Sequence, residues 1–455
     1  MIEDAPKAEA RSQGGESSLR RELGAIAATA IVVNATVGTG IFKTPAKVAR
    51  SAGSIDAALG VWVAGGVVAL AGALCIAELS AAMPRSGGIY EVLRRAFGAR
   101  VAFLYGWAKI TLLVPSAVGS FALLASESVA ALMSWPESRP RDVAIALAIL
   151  AGCAGANVLG VRASGRQQTV VTAVKYVGLL TLAFIGLTAT VRPGGVPIPA
   201  DPPAFQSAVT AGGVFAALVS AMWAYDGWAD LSSLGGETRN PGRVLPRALL
   251  LGTLAVMVAY LVANLGYARV LGLEGLRRST TGAGMAAAHV ASLTWGDAGR
   301  SFLSALVLTS CVGGCMASLL TNSRAFVPMA TDGTFVRWLG RVHDRSGVPR
   351  NAIVVSALLG ALYVGSRTFE QLTDAFVVGY FPFYAAAIVA LLVLRRREPR
   401  LPRPFRVPWF PLPPLVFLAG ALAVMAGAAT DLDGAAGWAL LVIAAGVPIS
   451  FLWKR

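Results

Sequence analysis

The sequence predicts an all-α polytopic membrane protein of 12 transmembrane helices, and three observations carry that prediction. Of the 455 residues, 56% are hydrophobic and only 14% are charged. A water-soluble domain carries roughly 25% charged residues, so too little polar surface remains to coat a soluble globule. Apolar stretches of about 20 residues, the length that crosses a bilayer, recur along the whole chain. The basic residues collect in the short breaks between these stretches, and more on one side than on the other.

The spans read as 24–48, 56–82, 100–133, 142–159, 167–191, 208–233, 244–270, 297–330, 351–366, 370–394, 410–429 and 435–453. Residues 1–23 are polar and read as a disordered cytoplasmic tail with no cleavable signal peptide. Counting Lys and Arg over the amino terminus and every second connection gives 25, against 11 over the alternate set. The positive-inside rule then puts both termini in the cytoplasm of a cell (plasma or inner) membrane. Termini on one side require an even number of spans, which agrees with 12.

The net charge of +15 does not indicate nucleic-acid binding, because it sits in loops between apolar runs. Cys75, Cys153, Cys311 and Cys315 all fall within apolar segments and form no metal-ligand pattern. Cys311 and Cys315 read as helix-packing residues. His289 and His343 lie far apart, so neither a metal site nor a histidine-based catalytic site is expected, and no cofactor is implied.

Two spans are interrupted at mid-membrane. Span 1 carries Val37-Gly38-Thr39-Gly40 and span 6 carries Tyr225-Asp226-Gly227. They lie five spans apart, and an odd offset sets two halves in opposite orientation, the signature of an inverted repeat around a midplane site. Glycine in a helix interior costs up to about 1 kcal/mol relative to Ala, so the helix unwinds readily at Gly38 and Gly40. The freed amides must find a partner in a bilayer. A carboxylate suits them, since the half-helix beginning near Ile41 points its positive dipole end to the same place and Thr39 adds a hydroxyl. The alternative is a small-residue packing face; the matching break in span 6 favours a binding role. Carbonyls exposed at that second break suit an ammonium group. Trp223 or Trp228 would cover the site, the alternative for each being lipid contact or packing. Asp226 either binds a cation or a proton, or caps the amides of the second half-helix; the cap is the better fit.

Lys175 lies at the centre of span 5, where a charge costs about 2.5–3.5 kcal/mol, and reads as an ammonium standing in for a bound cation. Lys109, closer to a span end, reads as snorkelling to the cytoplasmic interface. Glu78 and Glu237 are expected to pair with loop arginines. Pro84-Arg85-Ser86-Gly87-Gly88 is a turn by composition. Arg395, Arg396, Arg397, Arg403 and Arg406 read as a cytoplasmic anchor that meets anionic membrane lipid.

Gly-Thr-Gly-Ile-Phe in span 1, Met-Pro-Arg-Ser-Gly-Gly-Ile-Tyr after span 2 and Glu-Thr-Arg-Asn-Pro-Gly-Arg-Val-Leu-Pro-Arg-Ala after span 6 resemble the amino acid–polyamine–organocation superfamily. Ala-Tyr-Asp-Gly-Trp in span 6 and Arg-Pro-Phe-Arg-Val-Pro after span 10 look most like its L-type amino acid transporter branch. The resemblance implies a five-plus-five inverted repeat, here 24–191 and 208–394, with two further helices over 410–453. It implies that Gly38, Thr39 and Gly40 hold the substrate carboxylate. The amino group would meet backbone carbonyls of Thr36, Trp223 and Asp226. It further implies that Lys175 replaces a sodium ion, with Ser318 as its partner. Ala229 and Asp226 depart from the residues common in animal members, and so leave the side-chain pocket undefined. Those members join a glycoprotein through a cysteine between spans 3 and 4. Here residues 134–140 hold none, so no disulfide-linked heavy chain is expected.

The function implied is sodium-independent amino acid transport by alternating access, as an exchanger or with proton coupling. Asp226 supports an alternative, a polyamine or organic-cation transporter. A non-transporting nutrient sensor would need a signalling domain or long tail, and an enzyme would need a nucleophile–base pair or a metal cluster. The sequence offers neither.

Overall fold

A computed structural model describes residues 23–84, 87–159, 173, 176–181, 184, 187–188, 209–279, 285–343, 346–429 and 434–453. Among them there is no strand, only an isolated bridge between Leu23 and Thr238. The helices are α1 (Ala25–Thr36), α2 (Gly40–Ala52), α3 (Ile55–Ala82) and α4 (Ile89–Phe97). Next come α5 (Ala99–Ala108) and α6 (Val114–Leu132), joined without interruption by a π turn at Lys109–Leu113, then α7 (Arg139–Leu159). Described residues between 173 and 188 are helical. The remainder are α8 (Ala211–Tyr225), a 3-10 helix (Trp228–Glu237), α9 (Pro241–Arg278), α10 (Ala286–Arg324), α11 (Phe326–Thr331), α12 (Arg350–Ser366), α13 (Phe369–Arg397), α14 (Leu412–Ala429) and α15 (Ala435–Leu452).

Among the described residues, 7 helical stretches are long and apolar enough to cross a membrane, and the bent pair α1–α2 makes an eighth. The chain is therefore a polytopic helical membrane protein. Local chemistry sets the ends. Ser54 caps α3 by accepting from the Ala57 amide at 3.1 Å, and Thr210 caps α8 through the Gly213 amide at 3.1 Å. Thr368 and Gln371 form a reciprocal capping box at the start of α13. Helices α9 and α10 run beyond the apolar stretches read as 244–270 and 297–330. Gly272 and Gly296, both with φ +64°, turn the chain while helical hydrogen bonding continues on either side. Hydropathy marks where the membrane ends, not where the helix does.

The helices pack most heavily within two groups, which also touch through α2, α9 and α10. In one, α1, α2 and α8 pack with α3 and α9; in the other, α6 packs with α7, α10 and α12. Helix α13 lies between them, touching α3, α6 and α8. Small residues permit the close crossings, as expected where apolar surroundings give no hydrophobic drive to association.

Polar ties close both ends of this arrangement. On the face where α1 begins, Glu78 is buried and pairs with Arg395 and with Arg403, while its Oε2 accepts the Val407 amide at 2.7 Å. Arg95 grips Glu398, 2.5 Å at the closer pair, and holds that carboxyl below the usual carboxylate range. Arg94 meets Asp332 at 2.6 Å. On the opposite face, Lys43 of α2 meets Glu127 of α6 at 2.6 Å and Glu370 of α13 at 3.3 Å, and Lys47 meets Asp374 at 2.5 Å.

Two expectations need correction. Glu237 makes no ion pair among the described residues; its carbonyl instead accepts the Leu23 amide at 3.1 Å. Lys109 does not snorkel. It begins the π turn, is 7% exposed and directs its ammonium at Tyr105 Oη, 3.4 Å away. The extra residue in a π turn breaks the straight-helix register on which a snorkelling path is reckoned. Arg85, Ser86 and the tail before residue 23 lie outside the described residues.

Breaking a buried ion pair by removing one partner costs about 3–5 kcal/mol. Glu78→Ala is accordingly expected to lower the melting temperature of the detergent-purified protein strongly. Loss of monodispersity on heating measures this, and an unchanged melting curve contradicts it.

Candidate functional site

The two interruptions meet. Helix α1 stops at Thr36 and α2 starts at Gly40 with a 46° bend between them. Helix α8 stops at Tyr225. Asp226 is extended, and Gly227 takes φ +110° before the 3-10 helix begins at Trp228. A methyl group on Gly40 would stand 2.5 Å from Ala224 Cα, and one on Gly227 would stand 2.5 Å from the Ala35 carbonyl oxygen. Only glycine allows either approach. Each break is thus wedged against the other helix.

A residue far along the chain ties the breaks together. Tyr260 of α9 is buried, and its hydroxyl lies 3.0 Å from both the Thr36 and the Ala224 carbonyl oxygens. One hydroxyl donates one proton, so Tyr260 serves only one of these carbonyls at a time, and the Thr36 carbonyl also accepts the Gly38 amide at 2.8 Å. The Trp223 carbonyl accepts the Asp226 amide at 3.3 Å, a long bond that leaves a lone pair over.

On the donor side, the Gly38 amide turns back to the Thr36 carbonyl at 2.8 Å. The first amides of α2, at Gly40 and Ile41, have no preceding turn to bond. Thr39 is 1% exposed, and its hydroxyl has no hydrogen-bond partner among the described residues. A buried unpartnered hydroxyl costs roughly 1–3 kcal/mol. Beside the open amides of a helix start, it suits an incoming anion.

Aromatic rings bound this space. The Phe121 ring lies 3.8 Å from where a Gly38 side chain would begin and 3.0 Å from where a Gly314 one would. Trp223 stands 6.3 Å from Phe121 and edge-on to Phe376 at 5.0 Å between ring centres. Trp228 is placed differently. It stacks on Tyr384 at 5.2 Å and meets Phe417 edge-on at 6.3 Å, a packing position away from Gly38. Of the two tryptophans, Trp223 borders the break.

Asp226 does not cap the second half-helix. The capping position is Gly227, with no side-chain cap. The Asp226 carboxylate accepts the Tyr384 hydroxyl at 2.7 Å. Ser318 lies on α10, where its hydroxyl accepts from Asn322 at 3.2 Å. Lys175 falls outside the described residues. Tyr260, Tyr384, Phe121 and Phe376 do not stand out in the sequence, because an aromatic residue in an apolar run carries no mark distinguishing a site wall from a core.

The sequence pattern of amino acid permeases matches residues 23–448. The chain belongs to the amino acid permease family. Across 442 residues it is 28% identical to the serine/threonine exchanger SteT of Bacillus subtilis, covering 97% of this chain and 98% of that protein. It is 29% identical to the b(0,+)-type amino acid transporter 1 of Homo sapiens over 416 residues, 90% of this chain and 83% of the relative. It is also 29% identical to the large neutral amino acids transporter small subunit 2 of Mus musculus over 464 residues, 98% of this chain and 84% of the relative. The resemblance to the amino acid–polyamine–organocation superfamily and its L-type branch is therefore borne out. The permease's relatives are transporters and exchangers, not enzymes.

Tyr260→Phe in this permease leaves two buried carbonyls without their shared donor. It is expected to cost about 1–3 kcal/mol of stability and to reduce amino-acid-induced thermal stabilisation. Paired melting curves with and without ligand measure both, and a variant equal to wild type in each would remove Tyr260 from the site.

Proposed function

We propose that this permease carries a small neutral amino acid across the membrane by alternating access and without sodium. Thr39 carries the reading: its hydroxyl is buried and unpartnered among the described residues at the start of α2, next to Gly40, which packs on Ala224 of the other broken helix. The substrate carboxylate takes the Thr39 hydroxyl and the open amide of Gly40 beside Gly38, whose own amide turns back to the Thr36 carbonyl. The substrate ammonium takes carbonyls of Thr36, Trp223 and Asp226, the first of them shared with Tyr260. The closeness of Phe121 to both Gly38 and Gly314 leaves little depth for a substrate side chain, which favours a serine-sized group over a leucine-sized one.

The finer architecture belongs to the same reading: 12 spans, inverted repeats over 24–191 and 208–394, two further helices over 410–453, and both termini cytoplasmic. So do Lys175 as a fixed cation partnered by Ser318, and the absence of a disulfide-linked heavy chain. The organic-cation alternative leans on Asp226, whose carboxylate is engaged by Tyr384.

Purified protein in liposomes preloaded with unlabelled amino acid is expected to take up labelled serine or threonine with no sodium present. Thr39→Val removes one charge-assisted hydrogen bond, worth about 1.5–3 kcal/mol, and should raise the half-saturating concentration about 10- to 100-fold. Lys175→Ala is expected to abolish or uncouple transport while expression survives. Failure of every amino acid to be taken up or to compete for binding would sink the proposal, as would stronger competition by putrescine than by serine.

A further inference from the structure

Three helices that border the break each carry a charge a little farther along, on the side toward which α2 runs. On α2, Lys43 follows Thr39 by four residues, about 6 Å along the axis. On α6, Glu127 follows Phe121 by six residues, and on α13 Glu370 precedes Phe376 by six, about 9 Å in each case. These three charges meet. Lys43 Nζ lies 2.6 Å from Glu127 and 3.3 Å from Glu370, and 4.6 Å from the centre of the Phe369 ring. The cluster thus spans the mouth of the break on the face where α2 ends.

Cations continue outward along α2. Residues three and four apart on a helix are neighbours, so Thr39, Lys43, Lys47 and Arg50 make one stripe of donors from the break to the surface. Lys47 meets Asp374 at 2.5 Å. Arg50 is exposed and makes no ion pair among the described residues. A recess lies over this stripe, and the charged groups of its lining are Lys43, Lys47, Arg50 and Glu370, three cations to one carboxylate. It holds about 10 Å³, room for one water, so an incoming anion must replace a resident group there. Glu370 is the group best placed to leave. Its side chain is 40% exposed against 25% for Glu127, and its contact with Lys43 is the longer one. Partly exposed ion pairs are worth little, so the replacement costs little.

We propose that Lys43, Lys47 and Arg50 form a second, outer site for the carboxylate of the transported amino acid, a place that the Glu370 carboxylate holds until substrate arrives. This rests on the amino acid transport reading. The arriving carboxylate meets Arg50 and Lys47, displaces Glu370 from Lys43, and then stands one helical turn from the Thr39 hydroxyl. A displaced Glu370 no longer ties α13 to Lys43 of α2, so occupation of the outer site loosens the mouth through which the substrate passes.

The experiment is amino acid exchange by the full chain in liposomes, read with labelled serine and with position 50 as the probe. The four native cysteines are buried, so wild type controls for thiol reagents. Arg50→Cys is expected to lower kcat/KM about five-fold at unchanged kcat. A membrane-impermeant cationic methanethiosulfonate should restore the loss and an anionic one should deepen it, both effects fading in high salt. Glu370→Gln removes the competing carboxylate and should lower the half-saturating serine concentration by a similar factor. Loss of packing, or of a simple fastening, does not follow the sign of the charge placed at position 50. Kinetics blind to that sign, a change in kcat with KM unmoved, or a Glu370→Gln protein with wild-type half-saturation overturns the outer site and leaves amino acid transport standing. Absence of amino acid exchange in wild type overturns the transport reading, and this proposal with it.

Discussion

A helix that stops inside a bilayer leaves bare amides on one side of the gap and bare carbonyls on the other, and each needs a partner. Two helices of this permease stop in that way, and much of the surrounding structure is arranged to meet that need. Gly40 packs on Ala224 and Gly227 on the Ala35 carbonyl, so neither break can shift without moving the other. The Tyr260 hydroxyl serves a carbonyl from each side. The Thr39 hydroxyl at the donor end has no partner among the described residues, and in the proposed function an α-amino acid brings the charges that suit both ends.

Around this centre the polar residues are divided by role. The ion pairs of Lys43 and Lys47 fasten α2 to α6 and α13 on one face. The Glu78–Arg395–Arg403 group fastens α3 to α13 and the segment after it on the other. Helix α13 takes part in both and also carries Tyr384, which holds Asp226 at the hinge. Through these contacts α13 joins the hinge to both faces.

Much of the site is legible in the sequence because its cause is local. Gly38-Thr39-Gly40 and Tyr225-Asp226-Gly227 break helices through their own backbone chemistry, and the structure interrupts both helices there. Partners are not legible, because they arrive from elsewhere. Tyr260 is 224 positions from Thr36, and Tyr384 is 158 from Asp226; each is an ordinary aromatic residue in an apolar run. Asp226 resembles a cap in sequence because a second helical segment begins just beyond it, while the acceptor role it plays is set by α13. Lys109 eludes sequence reading for a related reason: depth along a straight helix says nothing of a π turn that points the side chain inward. The family resemblance supplies roles for Lys175 and Ser318 that no local feature of either residue specifies.

In the proposed mechanism the paired breaks recognise both charged groups of an α-amino acid at once. The most direct measurement is a thermal-shift titration of the purified permease with serine, its amide, its α-hydroxy acid analogue and its decarboxylated amine. A ligand at 100 times its dissociation constant stabilises by about 2.7 kcal/mol. Serine is expected to raise the melting temperature, and the three analogues, each missing one charge, are not. Stabilisation by the amine or the amide equal to that by serine would refute two-charge recognition.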